Sequence, residues 1–468
     1  MKMYDYFENY LKKDIYPFHM PGNKRVGELN RLDFTEVEGL DNLYHPDGII
    51  QQSLHRIKSL YQTKESFILV NGSTVGLLTA ITSATVKGDS ILVARNCHKA
   101  VYNGIELWDL SPTYLMPQNV FGFCGSINPV SVENSLEKDK SITACVITSP
   151  TYEGVVSDVK EIADVCHRHN VTLIVDEAHG SHFKFSDYFP TSATECGADI
   201  VVQSTHKTLT SLTGTGLLHI CTDRVDIDLV KKRLQMFQTS SPNYTMMASV
   251  DNCICDVIEN GEKLFAEYEK RLENFYEKCV NLKNIQIYKG ENAFDFDRGK
   301  LIISVQGTNI TGVELQNILR EDFRIETEMA SSHYVVAMTS IMDTDKGFER
   351  LINALFEIDK RLLKSNINDD SDISDFPYIT PKTVLKAYDA ENAVGEEVAL
   401  KDSVGRISKE YIYAYPPGIP IVAPGEEITQ EIAKKVTEMM GMGVNVASDR
   451  NKLPIVTVCA IDTGDKMG

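Results

Sequence analysis

The sequence predicts an α/β protein organised around a mainly parallel sheet, and three observations carry that prediction. Short β-branched apolar runs recur through the first half: SFILVNG (66–72), SILVA (90–94), TACVITSP (143–150), VTLIVDEAHG (171–180), DIVVQST (199–205) and TGLLHI (215–220). Each is bounded by Gly, Pro or polar residues, as strands are. Helical patterns lie between most of them, as in DVKEIADVCHRHN (158–170). The runs are continuous rather than alternating, so both faces of the sheet are covered by other elements.

Taken in order, the helix at 158–170 has Asp158 as its N-cap. A helical pattern fills 222–237 after the last of these strands, and a longer one spans 243–280. Strands then follow near 284–288, 301–305 and 334–339, with helices near 311–321 and 345–364. The acidic, polar KSNINDDSDISD (364–375) reads as a linker. The expected division is an N-terminal arm (1–30), a large domain (31–282), a small α/β domain (283–365) and a C-terminal unit (377–468), without internal repeats. A length of 468 residues suits two to three domains with sizeable cores.

Composition narrows the function. Hydrophobic residues make up 43% and charged residues 24%, and the formal net charge is −19. That sign is wrong for contacts to nucleic-acid phosphates and welcomes a small cationic substrate. The N-terminal MKMYDYFENYLKKD has no apolar core of signal-peptide type, and no stretch approaches 18 apolar residues, so a cytoplasmic protein without membrane contact is expected. Ten cysteines are scattered; only Cys253 and Cys255 lie close together, with no second pair or histidine set to complete a metal site.

Ligands of open parallel sheets sit at the carboxyl ends of strands, so the residues that end each apolar run carry the chemistry. FILV is followed by Asn71-Gly72-Ser73-Thr74 and a helix, which offers backbone N–H groups and hydroxyls to a phosphate. LIV ends at Asp176, and VVQ runs into Ser204, His206 and Lys207. An amine, a carboxylate and a phosphate cradle at neighbouring strand ends suit pyridoxal 5'-phosphate, which needs a partner for its aldehyde, its ring nitrogen and its phosphate. On an extended chain His206 points the other way from Lys207, so it serves the phosphate while Lys207 serves the aldehyde. VDEAHG also contains the DEAH string of nucleic-acid-dependent ATPases, but no G-x-x-x-x-G-K-[ST] loop lies upstream.

Nine stretches, FHMPGNKR (18–25), GLDNLYHPDGII (39–50), VNGSTVG (70–76), RNCHKAVYNG (95–104), SPTYEGVVSD (149–158), VDEAHGSH (175–182), QSTHKTLTSLTGTG (203–216), QTSSPNY (238–244) and YPPGIPIVAPGE (415–426), together resemble the Orn/Lys/Arg decarboxylase family in its short form without the wing domain. Asn23 departs from the family's usual histidine. The resemblance implies fold-type I of the pyridoxal phosphate enzymes, with a seven-stranded sheet, and a homodimer with shared active sites. It implies that Lys207 takes the cofactor's aldehyde, Asp176 pairs with its ring nitrogen, His98 stacks on one ring face and Ala178 lies under the other. Gly72, Ser73, Thr74, Ser204 and His206 would hold the phosphate. Thr239 or Ser240 would reach the partner's phosphate, although both could equally cap the next helix, and His179 would face the phenolic oxygen.

The reaction expected is decarboxylation of a basic L-amino acid, arginine to agmatine first, with lysine and ornithine next and a lyase or aldolase of the same fold behind them. Fold-type I aminotransferases clamp the substrate carboxylate with a small-domain arginine, and the matching EMASSHYVVAMTSIMD (328–343) has none. Glu328 and Glu397 are the candidates for the substrate's distal cation.

Overall fold

The computed structural model describes residues 1–13, 20–21, 23–25, 27–364, 379, 382–415 and 418–460. His19 and Gly22 of FHMPGNKR, the linker from 365 to 375 and prolines 416 and 417 lie outside these residues. Seven strands form the central sheet: β1 (Glu65–Leu69), β2 (Ser90–Ala94), β3 (Ser111–Leu115), β4 (Ile142–Thr148), β5 (Thr172–Asp176), β6 (Ile200–Gln203) and β7 (Gly216–Ile220). Their order is β1-β7-β6-β5-β4-β2-β3. From β6 to β3 every pairing is parallel, whereas β7 runs antiparallel to both β6 and β1. Ile91 to Val93, Ala144 to Ile147, Leu173 to Val175 and Ile200 to Val202 are all buried, which accounts for the continuous apolar runs.

Strand β3 was not among the expected strands. Its sequence SPTYL carries a proline, which lacks the ladder N–H, and it stands at the sheet edge where Pro112 is tolerated. The helix Gly72–Ala84 lies very close to the sheet: a Cβ on Gly76 would come within 2.7 Å of Leu69 and Val202 side-chain carbons. That approach brings the helix N-terminus against the strand ends.

Asp158 caps the helix Val159–Arg168 by accepting from the Glu161 amide. The long helix spans Tyr244–Cys279, and its N-cap is Asn243, so capping is not the work of Thr239 or Ser240. The helix Met3–Leu11 docks on it: Phe7 packs against Phe34 and Tyr244 with ring centroids 5.2 and 5.6 Å apart, and the Met3 amide donates to Asp251 at 2.7 Å.

The following region holds an antiparallel sheet of β8 (Gln286–Ile287), β9 (Lys300–Ser304), β10 (Met329–Ala330) and β11 (Tyr334–Met338), in the order β8-β9-β11-β10. Helices Gly312–Phe323 and Asp345–Asp359 cover it. A third core gathers Ile412, Val422, Ile432, Val436, Val456 and Val458 in the C-terminal unit.

A buried ion pair fastens that unit to the large domain. Arg95, one residue past β2, donates through Nη1 and Nη2 to the two Glu426 carboxylate oxygens at 2.7 and 2.9 Å, and through Nη2 to the Ile421 carbonyl at 3.0 Å. Both side chains are essentially inaccessible, at 0% and 1% exposure. Arg95→Ala is therefore expected to cost about 3–5 kcal/mol by stranding the Glu426 charge, and pairing Arg95→Met with Glu426→Leu should cost much less. Denaturant titration checks both, and a near-neutral single variant would contradict the coupling.

Candidate active site

The strands of the central sheet deliver their last residues into one cavity of about 300 Å³, lined by Ser73, Asn96, His98, Thr148, Tyr152, Asp176, Ala178, His179, Lys207, Glu328, Tyr415 and Ile419. Thr148 ends β4 and Asp176 ends β5, Lys207 follows β6, and Asn96 and His98 follow β2. Tyr415 and Ile419 come from the C-terminal unit and Glu328 from the edge of the small sheet, so all three units build the walls.

Lys207 occupies a helical turn, Thr205–Thr208, and not extended chain. Successive residues on such a turn diverge by about 100°, so His206 and Lys207 still face different ways. The Lys207 Nζ lies 2.9 Å from His179 Nε2. Burial lowers the Lys207 pKa, against the pull of Asp176 and Glu328. Burial also raises Asp176, with Lys207 opposing, and its Oδ1 accepts from the Ala178 amide at 3.1 Å.

His98 is the N-cap of the helix Lys99–Leu107, with Nδ1 accepting from the Ala100 amide at 3.1 Å. The ring proton therefore sits on Nε2 when the ring is neutral. Burial, then Lys207 and Lys99, lower its pKa to about 4. His206 is half-buried; its Nδ1–H donates to the Thr215 carbonyl at 2.7 Å, and burial lowers its pKa.

The phosphate cradle is distinguishable in parts. Gly72 turns into its helix with φ +76°, and its own amide is spent on the Gly214 carbonyl at 2.8 Å. Ser73 faces the cavity, while Thr74 is exposed. The Ser204 Oγ is buried and has no hydrogen-bond partner among the described residues, as is the Asn96 Oδ1. Buried hydroxyls are rarely left unpaired, so Ser204 fits a bound acceptor such as phosphate. These groups, with Asp176 and the Lys207 amine on one cavity wall, suit pyridoxal phosphate.

Several expected residues do not join the group. Glu397 is exposed on the strand Gly395–Ala399, which pairs with Ile455–Cys459, and does not line the cavity. Thr239 and Ser240 stay outside it too; the Thr239 amide donates to Asn71 Oδ1 at 3.2 Å, just ahead of the cradle. The Asn23 side chain bonds Asp33 at 2.6 Å within the arm. Tyr152 and Tyr415 were not singled out although both lie in quoted motifs. Tyr152 stands edge-on to the His179 ring, 4.9 Å between centroids, and donates to Glu328. Among the described residues no group of three or more His, Cys, Asp or Glu could hold a metal ion.

A parallel-dominated sheet, a lysine and an aspartate at adjacent strand ends, and a helix N-terminus beside an unpaired serine define the class: a fold-type I pyridoxal phosphate-dependent enzyme. The chain belongs to the Orn/Lys/Arg decarboxylase family, matching its major domain over residues 3–297 and its C-terminal domain over 374–445. It is 30% identical to an arginine decarboxylase of Bacillus subtilis (strain 168) over 463 residues, covering 95% of this chain and 94% of that one. It is also 34% identical to an uncharacterized protein, YaaO, of the same organism, with 95% of each chain covered. The lysine decarboxylase LdcF of Francisella novicida has the same fold, with a TM-score of 0.82 at 19% identity, over 98% of this chain and 81% of that one. The protein is thus a pyridoxal phosphate-dependent decarboxylase.

Beside the cavity, His219 is buried between Ser66 Oγ (2.8 Å) and Gln203 Oε1 (3.3 Å), and burial lowers its pKa to about 3. The unfolded chain binds this proton first on acidification, so the His219 contribution to stability is lost as pH falls from about 6.5 toward 3. Relative to His219→Gln, the wild type should lose about 2 kcal/mol between pH 6.5 and 5. Parallel urea titrations of both proteins at the two pH values check this.

Proposed function

We propose that the enzyme decarboxylates a basic L-amino acid, with arginine, giving agmatine, as the first choice over lysine and ornithine. The observation that carries this reading is the convergence of Lys207, Asp176 and His98 in one cavity with the Glu328 carboxylate on its wall. The relatives named arginine decarboxylase, including that of Halalkalibacterium halodurans at 31% identity, support arginine. All ten cysteines are free thiols, which supports a reducing cytoplasmic setting.

When bound, pyridoxal phosphate supplies an aldehyde for the substrate amine and a ring that accepts the electron pair left by departing carbon dioxide. Lys207, partly desolvated and with its pKa lowered by burial, would offer its amine to the aldehyde. The Asp176 carboxylate would keep a proton on the ring nitrogen, and so would make the ring an electron acceptor. His98 and Ala178 would flank the ring, and Ser73, Thr74, Ser204 and His206 would hold the phosphate with the backbone turn at Gly72.

The lining residues include no arginine among those described. The substrate carboxylate is then not pinned by a guanidinium, and an anion in a partly buried setting gains by losing its charge as carbon dioxide. Glu328, already accepting from Tyr152, is a seat for the distal cation.

Incubation with arginine, lysine and ornithine, with chromatographic identification of the amine, tests the substrate. Agmatine as the dominant product is expected, and keto acid formed at comparable rate would overturn decarboxylation as the main reaction. Borohydride treatment of the loaded protein followed by peptide mapping should place the label on Lys207. Asp176→Asn is expected to retain cofactor and to lose at least about 100-fold in kcat, as loss of a charge-stabilising group does.

We further infer a homodimer in which Thr239 or Ser240 serves the neighbour's phosphate. The exposure of Ser240, outside the cavity of its own chain, supports this. Mixing Lys207→Ala chains with Thr239→Ala/Ser240→Ala chains should restore activity, since hybrid dimers hold one site free of both lesions. No recovery with hybrids confirmed by native mass spectrometry would overturn the sharing.

A further inference from the structure

The mouth of the cavity carries side chains of a different kind from those at its floor. Among the lining residues only Asp176 and Glu328 are carboxylates. Asp176 is buried at 3% exposure, whereas Glu328 is exposed at the margin of the small sheet. The Tyr152 hydroxyl donates to Glu328 Oε1. Among the described residues Glu328 forms no salt bridge, and its Oε2 is left without a hydrogen bond.

Tyr152 is held at three points. Beyond the bond to Glu328, its ring stands edge-on to His179, and the Lys300 Nζ lies 5.3 Å from its centroid. Lys300 opens β9, is buried at 1% exposure and touches His179 Nδ1 at 2.7 Å. Gly154, with φ +103°, leaves room for its stem: a Cβ there would come within 2.8 Å of the Lys300 Cγ. Burial, then Glu328, raise the Tyr152 pKa far above the usual phenol range, and Tyr415 adds to the rise. The hydroxyl therefore keeps its proton and serves Glu328 as a donor.

Tyr415 is placed otherwise. It is 56% exposed, and among the described residues its ring makes no aromatic or cation contact. Its backbone is fixed, since its amide donates to the Asn445 carbonyl at 2.8 Å and the Asn445 Nδ2 donates to its carbonyl at 2.8 Å. A Cβ on Gly418 would lie 3.6 Å from Tyr415 Cδ2 and 3.7 Å from His98 Nε2, so the Tyr415 ring stands close to the histidine. An aromatic face on a fixed backbone loses little freedom when a ligand settles on it.

We propose that these three residues seat the distal cation of the substrate and that Tyr415 makes the seat selective for a guanidinium. Glu328 Oε2 accepts from the edge of the group, Tyr152 holds the carboxylate in place, and the Tyr415 ring takes the flat face. This seat rests on the proposed decarboxylation of a basic amino acid and extends the assignment of Glu328. A guanidinium is planar, weakly hydrated and able to stack while it donates from its edge; an ammonium is compact and strongly hydrated. At a mouth open to water an ammonium keeps its hydration and gains little from an aromatic ring, so the free ring favours the flat cation. The Tyr152 ring is already faced by Lys300, which leaves Tyr415 as the open surface. Tyr152 is a positioning residue, because it acts through Glu328.

Steady-state kinetics of the full-length holoenzyme with arginine and lysine test each part, with lysine read as a competitive inhibitor where its turnover is slow. Tyr415→Leu should raise KM for arginine at least about threefold more than KM or Ki for lysine, with kcat changing less than KM. Tyr415→Phe keeps the face and should restore the wild-type ratio. Tyr152→Phe should raise both constants at least about threefold, yet add nothing in a Glu328→Gln background, because its effect passes through that carboxylate. A ratio unmoved by Tyr415→Leu overturns the role of Tyr415, and additive losses from Tyr152→Phe and Glu328→Gln overturn that of Tyr152. Either result, in a wild type that releases agmatine, leaves the decarboxylase reading standing. A wild type that releases no amine from any basic amino acid overturns that reading and the seat with it.

Discussion

The bidentate pair between Arg95 and Glu426 is the contact on which the site depends, because it decides where the C-terminal unit sits. Burying both charges is expensive, and the pair is tolerable only because every strong acceptor and most donors are met. The Glu426 oxygens take both Arg95 nitrogens and the Ala423 amide, and Arg95 also reaches the Ile421 carbonyl. Such a pair is less a source of net stability than a register: other dockings would leave a buried charge alone. The register has a chemical consequence three residues further on. Arg95 begins the loop that carries His98, and the amide of Lys99 donates to the Gly418 carbonyl at 3.2 Å. The ion pair thus carries Tyr415 and Ile419 to the cavity rim, above the histidine that bounds it.

Charge within the cavity runs against the charge of the chain. The protein carries −19 overall, yet Lys207, His98 and His179 share one pocket with Asp176 and Glu328, and Lys300 and His206 stand just outside its lining. Like charges at such range cannot all persist, and burial resolves the conflict by holding the histidines neutral. A cavity of neutral imidazoles, hydroxyls and an amine suits an anionic group that supplies its own negative charge. The acidic exterior meanwhile favours approach of a cationic amino acid.

The parts of this design that were legible in the sequence are those fixed by local pattern. A strand buried on both faces must be written as a continuous apolar run, so Asp176 and Lys207 could be placed at strand ends from sequence alone. Strand β3 escaped because an edge strand is free to carry Pro112 and half-exposed side chains, which blur the pattern. Lys207 proved to lie on a helical turn, since a four-residue helix is too short to show periodicity. Arg95, Tyr152 and Lys300 had no local signal of their role. A lysine in GKLIIS reads as a solvated strand end, and only the fold reveals that Gly154 makes room for its stem. Glu397 illustrates the reverse: a carboxylate picked by position alone stands exposed on a two-stranded sheet of the C-terminal unit.

The division of labour among the three units bears on how one fold serves several basic amino acids. The groups proposed to act on the reacting carbon, Lys207, Asp176 and His98, all follow strand ends of the large domain, where packing holds them. Glu328, proposed for the distal cation, stands on the margin of the small sheet, its amide bonded to the Val336 carbonyl at 2.9 Å and its carboxylate to Tyr152. Tyr415 and Ile419 come from a third unit altogether. A change of side-chain length in the substrate is then met by residues that lie apart from the strand ends. That separation fits a family whose members include arginine and lysine decarboxylases on one framework. Lys300 joins the two halves as well, since it belongs to the small domain and touches His179 of the large one, as Glu328 touches Tyr152. A displacement of the small sheet would therefore reach, through that 2.7 Å contact, the imidazole that faces Lys207.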